Sequence, residues 1–390
     1  MRIILTSDWH LGKALYNLKL LPYQSKFFHD QFLGLLRDVK PDLLIVAGDI
    51  LDKPLPDQET LFYFEEFLRE LSYTKVKSIF ILGNHDSRRT ALHKHFMEYA
   101  AIYIIDDLKY LIEPFVVRDS QGNTLNLYLF PYLPPFELMN KLGHYYSRAQ
   151  EAANPLREAL WDYFADKTLK DPAILVGHFA IEEAVPSGEE LLLRGFSNEY
   201  LFPKDLFSPF KYLFLGHLHR YQTYSNKFIY SGAPLPYSFE IFSERRGVLL
   251  VEFNEGIISH LELIPLEPPY ILKIIKGSFE SICSLPEDES YVKVILEEDK
   301  PIFDVHAKLK KRFPNLLYLD YVSPQSERDV HELFIEGMSQ EDTQLELKIL
   351  FREFYQLLEK RGPEEELWQI FETYLDLFNQ KEQKEGMLCH

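Results

Sequence analysis

Five times before residue 220 the chain runs through a short apolar stretch and stops on residues able to bind a cation or move a proton. The strings are Asp8-Trp9-His10, Gly48-Asp49-Ile50-Leu51-Asp52, Gly83-Asn84-His85-Asp86, Gly177-His178 and Gly216-His217-Leu218-His219. Apolar runs of this length bounded by turn residues read as buried strands. Open α/β sheets gather ligands at strand ends, and a glycine beside a ligand lets the backbone turn tightly. A fold compatible with this pattern must bring several strand ends to one place.

Taken singly, each string has an ordinary explanation. Asp8 and His10 suit a loop cap, Gly48-Asp49 a turn or helix cap, and Asp86 the cap of a following helix. Gly177-His178 is a common pair. Gly83-Asn84-His85-Asp86 is more specific, and alternating His217 and His219 on an extended segment cannot both be buried cheaply. Together they supply what two divalent ions about 3.5–4 Å apart require: oxygen and imidazole donors from several segments, with one carboxylate able to bridge. That donor set suits manganese, iron, zinc or, less well, magnesium. The remaining histidines, His29, His93, His95, His144, His260, His306, His331 and His390, fall outside these strings and read as structural or surface residues.

Around the strings, apolar runs at 3–6, 43–47 and 78–82 alternate with amphipathic stretches near 22–39 and 57–71, an α/β pattern. Further strands are expected at 173–176, 212–215, 228–230, 248–253 and 257–263, where helices become rarer. The fold class is α/β: a two-sheet β-sandwich flanked by helices. Three prolines in the five residues 265–269 mark a connector ending a first domain over 1–265. Runs at 291–296 and 316–321 around an amphipathic stretch near 305–313 give a small α+β domain over 270–323. Two apolar stripes separated by Gly362-Pro363 predict a C-terminal helical hairpin over 341–384.

Hydrophobic residues make up 46% of the 390, ample for a packed core. Cys283 and Cys389 give neither a disulfide framework nor a cysteine metal site, which fits the cytoplasm. Neither a signal peptide nor a membrane span is expected. A formal net charge of -18 argues against nucleic-acid binding over the whole surface. It leaves room for a nuclease whose metals offset the carboxylates and whose partner contacts phosphates.

These motifs closely resemble the calcineurin-like metallophosphoesterase superfamily and, within it, the SbcD family of DNA-repair nucleases. Ser7-Asp8-Trp9-His10-Leu11-Gly12 is similar to the family's opening string, and Asp52 matches its bacterial branch. Residues 230–240, from Tyr230-Ser231-Gly232 to Ser238-Phe239-Glu240, resemble the segment after the last histidine pair, with Ala233 where serine is usual. The resemblance implies one metal on Asp8, His10, Asp49 and His219, and another on Asp49, Asn84, His178 and His217. His85 would act on the leaving group as general acid, with Asp86 orienting it; Asp52 has a helix-capping alternative. It further implies a metallophosphoesterase domain, a capping domain and C-terminal helices that dock on the SbcC ATPase. The expected activity is a Mn2+-dependent 3′ to 5′ double-strand exonuclease and hairpin endonuclease acting on DNA, as a homodimer through the helix at 57–71 and the one after Ser87. The chain lacks a Gly-x-x-x-x-Gly-Lys-Ser/Thr string, so the ATPase would reside in the partner. The alternatives are a small-molecule phosphodiesterase or phosphatase on the same scaffold, and a scaffold for the ATPase with a vestigial site.

Overall fold

The computed structural model describes residues 1–91, 94–143, 153–165, 167–185, 200–239, 245–298, 302–321, 367–368 and 371. The chain divides into two compact units, 1–296 with 302–320 and 297–301 with 321–390. The expected C-terminal helices over 341–384 lie outside the described residues, apart from Leu367, Trp368 and Phe371.

Two six-stranded sheets carry the first unit. The first runs Ile257–Pro265, Gly247–Asn254, Arg2–Thr6, Leu43–Ala47, Lys77–Ile81, Ile102–Ile105, with the last four strands parallel. The second runs Gln222–Tyr224, Phe228–Tyr230, Tyr212–Gly216, Ala173–His178, Thr124–Phe130, Phe115–Arg118, with its four central strands parallel. Strict alternation decides the layering. Ile3, Leu5, Leu43, Ile45, Ile79 and Ile81 of the first sheet share a buried core with Leu127, Leu129, Ile174, Val176, Phe214 and Ile229 of the second. The intervening residues Ile4, Leu44, Val46 and Phe80 face outward, onto Phe27, Phe28, Phe32 and Leu36 and onto Phe64, Phe67, Leu68 and Leu71 of the helix Gln58–Thr74. On the far side, Tyr128, Leu175, Leu213 and Leu215 pack with Leu156, Leu160 and Phe164 of the helix Ala153–Ala165. Helices therefore cover both outer faces, as expected for this fold class.

The helical run from Leu21 to Val39 contains a π-helical segment, Phe27–Phe32, in which Phe28 meets both Phe27 and Phe32 and all three are fully buried. The helix Gln58–Thr74 is capped by Asp57, whose Oδ1 accepts from Thr60 N at 2.8 Å. Asp52 is thus not a helix cap. Of that helix's apolar residues, Phe62 is 61% exposed. A third sheet, Leu272–Gly277, Tyr291–Leu296 and Leu316–Tyr321, has its own core of Val292, Val294, Leu296, Ile282 and Leu309. Among the described residues, no helix is long and apolar enough to cross a membrane.

Candidate metal centre

The chain leaves both sheets at the carboxyl ends of their parallel strands, and there the five strings meet. Beyond Thr6 and Ala47 the two chains stay paired, with Asp8 N donating to Gly48 O, His10 N to Asp49 O and Leu11 N to Ile50 O at 2.9 to 3.0 Å. Asp8, His10, Asp49 and His217 all have positive φ, 54°, 44°, 52° and 88°. Non-glycine residues seldom adopt such angles, and strain of this kind concentrates where surrounding structure over-determines the backbone. Here Trp9 supplies part of that determination. Its indole is fully buried against Phe28, Phe32, Phe67 and Phe80, and its N–H donates to Thr6 Oγ1 at 3.0 Å.

Between the sheets the donors converge. His10 Nε2 stands 3.1 Å from His219 Nε2 and 3.6 Å from Asp49 Oδ2. On the other side of that same oxygen, His178 Nε2 lies at 3.3 Å and is 3.0 Å from Asn84 Oδ1, which is 3.1 Å from His217 Nδ1. Asp49 Oδ1 accepts from His85 N at 2.9 Å, which fixes the carboxylate's plane. Asp8 completes the first side: its carboxylate accepts from His217 N at 3.0 Å and from Ser7 Oγ, which also meets Ser231 Oγ at 2.7 Å. His178 Nδ1 faces the Ala47 carbonyl at 2.8 Å, so its N–H points there and Nε2 is the nitrogen turned to the cluster.

Two glycines make room. A Cβ on Gly48 (φ +91°) would fall 2.2 Å from His178 Nδ1, and one on Gly83 would fall 2.2 Å from Asp49 Oδ1.

One ion pair, Asp49 with His178, carries the charge of the site. Burial pushes the Asp8 carboxyl up to about 7, with Asp49 adding to the effect and His178 opposing it. Burial works the same way on Asp49, but His178 and His10 outweigh it and hold that carboxylate well below its ordinary range. Burial would neutralise His178, yet Asp49 lifts it to about 9. Burial, reinforced by the neighbouring imidazoles, takes His217 down to about 3 and His219 well below its usual value. In the metal-free site His178 thus carries the proton that balances Asp49, while His217 and His219 stay neutral; a cation would take the place of that proton.

A cation ligated at about 2.0–2.2 Å holds neighbouring donors roughly 3 Å apart. The donor separations of 3.0 to 3.6 Å fit that requirement without rearrangement. Among the described residues, the carboxylate and imidazole groups spaced to hold a metal are Asp8 with His10 and His219, Asp8 with Asp49 and His178, and His10 with Asp52 and His85.

The last group differs in character. His85 packs edge-on against His10, 4.7 Å between centroids, and its Nδ1 meets the Asp52 carbonyl at 2.8 Å. The Asp52 carboxylate lies 3.5 Å from His10 Nδ1 and 3.3 Å from Lys13 Nζ. Asp86, expected to orient His85, instead accepts from the amides of Ile50, Leu51 and Gly83 at 3.1, 2.9 and 2.9 Å. It ties two site loops together, while the Asp52 carbonyl holds the imidazole.

Sequence reasoning passed over Gln24, Ser7 and Ala47 as site residues. Gln24 alone left a trace: a polar residue on the apolar stripe of Leu21, Phe27 and Phe28, spaced as a helix face.

The chain's own similarities agree with this geometry. Residues 1–221 match the calcineurin-like phosphoesterase family, and residues 269–358 match the family described as type 5 capsule protein repressor C-terminal domain. The chain is 30% identical over 331 residues to the D subunit of the SbcCD nuclease of Staphylococcus epidermidis, covering 83% of this chain and 86% of that one. Solved structures similar to it include a dimetal phosphatase from Danio rerio, at 12% identity and TM-score 0.41 over 68% of this chain and 99% of that one. A protein from Thermus thermophilus follows at 13% identity and TM-score 0.34, over 67% and 98%. The paired loops, the convergent donors and the two sequence matches have one reading: the chain belongs to the SbcD family of calcineurin-like phosphoesterases.

Proposed function

We propose that this chain is the nuclease subunit of an SbcCD-type complex, hydrolysing DNA phosphodiesters with two divalent cations, most suitably Mn2+. The observation that carries the reading is Asp49 Oδ2, placed between His10 on one side and His178 on the other at 3.6 and 3.3 Å. Asp8, His10, Asp49 and His219 hold one ion, and Asp49, Asn84, His178 and His217 the other. When bound, such a pair supplies Lewis acidity toward the phosphoryl oxygens and lowers the pKa of a water at the site. His85 protonates the departing 3′ oxygen. With its Nδ1 held by the Asp52 carbonyl, Nε2 is the nitrogen through which His85 passes that proton. Asp86 positions the loops that carry Asp49 and His85.

The activity is a 3′ to 5′ double-strand exonuclease and a hairpin endonuclease in DNA end processing, carried out in the cytoplasm as a homodimer. The domain over 270–323 caps the catalytic domain over 1–265, and helices over 341–384 dock on an SbcC-type coiled-coil ATPase. Removal of the residues after Gln340 should abolish pulldown of that ATPase; unchanged pulldown refutes the docking assignment. For the activity, purified protein with manganese should degrade labelled duplex DNA at least a hundredfold faster than the His85→Ser variant, the usual scale of a lost acid catalyst being about 10²–10⁴. Equal rates would end the nuclease reading, and a loss confined to small diesters would favour a small-molecule phosphodiesterase.

A further inference from the structure

Gln24 lies outside every metal-ligand string, yet its side chain is fully buried and every hydrogen bond it makes ends on or beside the loop bearing Asp8 and His10. Its Nε2 donates to His10 O at 2.8 Å, Trp9 O at 3.1 Å and the Tyr237 hydroxyl at 3.2 Å, and its Oε1 accepts from Gly12 N at 2.9 Å. Two carbonyls on one side and an amide N–H on the other allow only this orientation of the amide group. Tyr237 donates its hydroxyl to Trp9 O, so the two side chains share the loop. The loop they grip is the strained one, with positive φ at both Asp8 and His10. Backbone held in that region persists only under external constraint. The Asn84, His178 and His217 side of the cluster is held by the Ala47 carbonyl, by Asn84 itself and by the Asp8 carboxylate on His217 N, and Gln24 hydrogen-bonds to none of its side chains.

We propose that Gln24, backed by Tyr237, is a positioning residue that acts on one half of the metal pair, the half held by Asp8, His10 and His219, far more than on the other. The inference rests on the metal pair proposed above. Gln24→Met keeps the buried volume and removes all four polar contacts.

Manganese alone is the probe, counted by equilibrium dialysis against the full chain, with spin coupling between the ions read by electron paramagnetic resonance. Wild type should hold two ions. Gln24→Met should hold one at wild-type affinity and the second about tenfold more weakly, with the coupled signal reduced to match. The loss should add nothing to that of His219→Ala and add in part to that of Asn84→Ala, since contacts in one network are non-additive and the two ions share only the Asp49 carboxylate. Two ions at wild-type affinity, or both weakened alike, would overturn the proposal. A wild type that binds fewer than two ions removes the metal pair itself, and the proposal with it. Should Gln24→Met fail to fold, Tyr237→Phe makes the same test: weakening of the same ion by a smaller factor is expected, and no change refutes.

Discussion

Asp86→Asn should behave differently on the two sides of neutrality in metal-free protein, and the size of the effect follows from where Asp86 sits. The carboxylate is buried under three backbone amides, and burial together with the nearby Asp49 charge raises its pKa from 3.8 to about 7. A group whose folded pKa is raised contributes stability that is fully present below its unfolded pKa and lost as pH rises through the folded value. The window therefore runs from about pH 4 to pH 7. At about 1.4 kcal/mol per pH unit, wild type loses on the order of 4 kcal/mol across it that the neutral Asn does not. Below pH 4 both side chains are uncharged, but Asn turns an NH2 donor toward an amide that an Asp86 oxygen accepts from, so the variant should start about 1–3 kcal/mol lower. By pH 8 the pH-dependent loss of wild type, on the order of 4 kcal/mol, should outweigh that offset and leave the variant the more stable. Urea unfolding of both proteins at pH 4.5, 6 and 8 in the presence of a chelator measures the trend. A stability difference that stays flat with pH, or moves toward wild type as pH rises, would refute the assignment of Asp86 as a buried anion beside Asp49. Manganese should reverse the ranking at pH 8, because a cation at Asp49 relieves the repulsion while the carboxylate keeps three amide donors.

Metal affinity should rise with pH between 6 and 9, because His178, held up at about 9 by Asp49 in the metal-free protein, must release its proton to offer Nε2. Calorimetry in two buffers of different ionisation heat would show that release, and a titration without it would contradict the ion pair. Gly48→Ala should cost about 1–2 kcal/mol in backbone conformation alone and weaken metal binding by displacing His178, whereas Gly34→Ala, with open space around it, should be neutral or stabilising. Thermal melts with and without manganese distinguish the two. Trp9→Ala should destabilise by about 3–5 kcal/mol and reduce metal binding together, since the indole anchors the loop between Asp8 and His10; loss of only one of the two would separate core packing from site geometry.

The parts of this fold that were legible in the sequence are those where an apolar run collides with a chemical string. Leu43–Ala47 and Phe228–Tyr230 match their expected bounds residue for residue, because a buried parallel strand is apolar throughout and its end is marked by a glycine or a charge. The strands Ile102–Ile105, Phe115–Arg118 and Thr124–Phe130 went unread, as did the helix Ala153–Ala165. Their ends carry no string, and the edge strand Phe115–Arg118 alternates buried and exposed over only four residues, too few to establish a period. At the site, residue types with donor chemistry were readable, but supports acting through backbone atoms were not. Asp86 is an example: its sequence position beside His85 suggested a side-chain pairing, while its three partners are amides that no sequence pattern displays. Asp52 also offered a cap, but the Lys53-Pro54-Leu55-Pro56 stretch that follows it is not helical, and the helix starts after Asp57, whose Oδ1 accepts from Thr60 N.

The interface between the two sheets is almost wholly aliphatic, and aliphatic contact has no preferred direction of slide. Polar ties across it lie at both ends: the Met1 ammonium to Asp119 and Ile258 N to the Tyr212 hydroxyl at one, and His178 to Ala47, His217 to Asp8, Ser231 to Ser7 and both histidines to Asn84 at the other. The sandwich is thus fastened at both ends, and at the metal end the mutual alignment of the sheets and the spacing of the donors form a single mechanical coordinate. Repacking the aliphatic layer far from the site, at Leu43 or Ile174, would then be felt as a change in distance between Asp49 and His178, with no substitution near either.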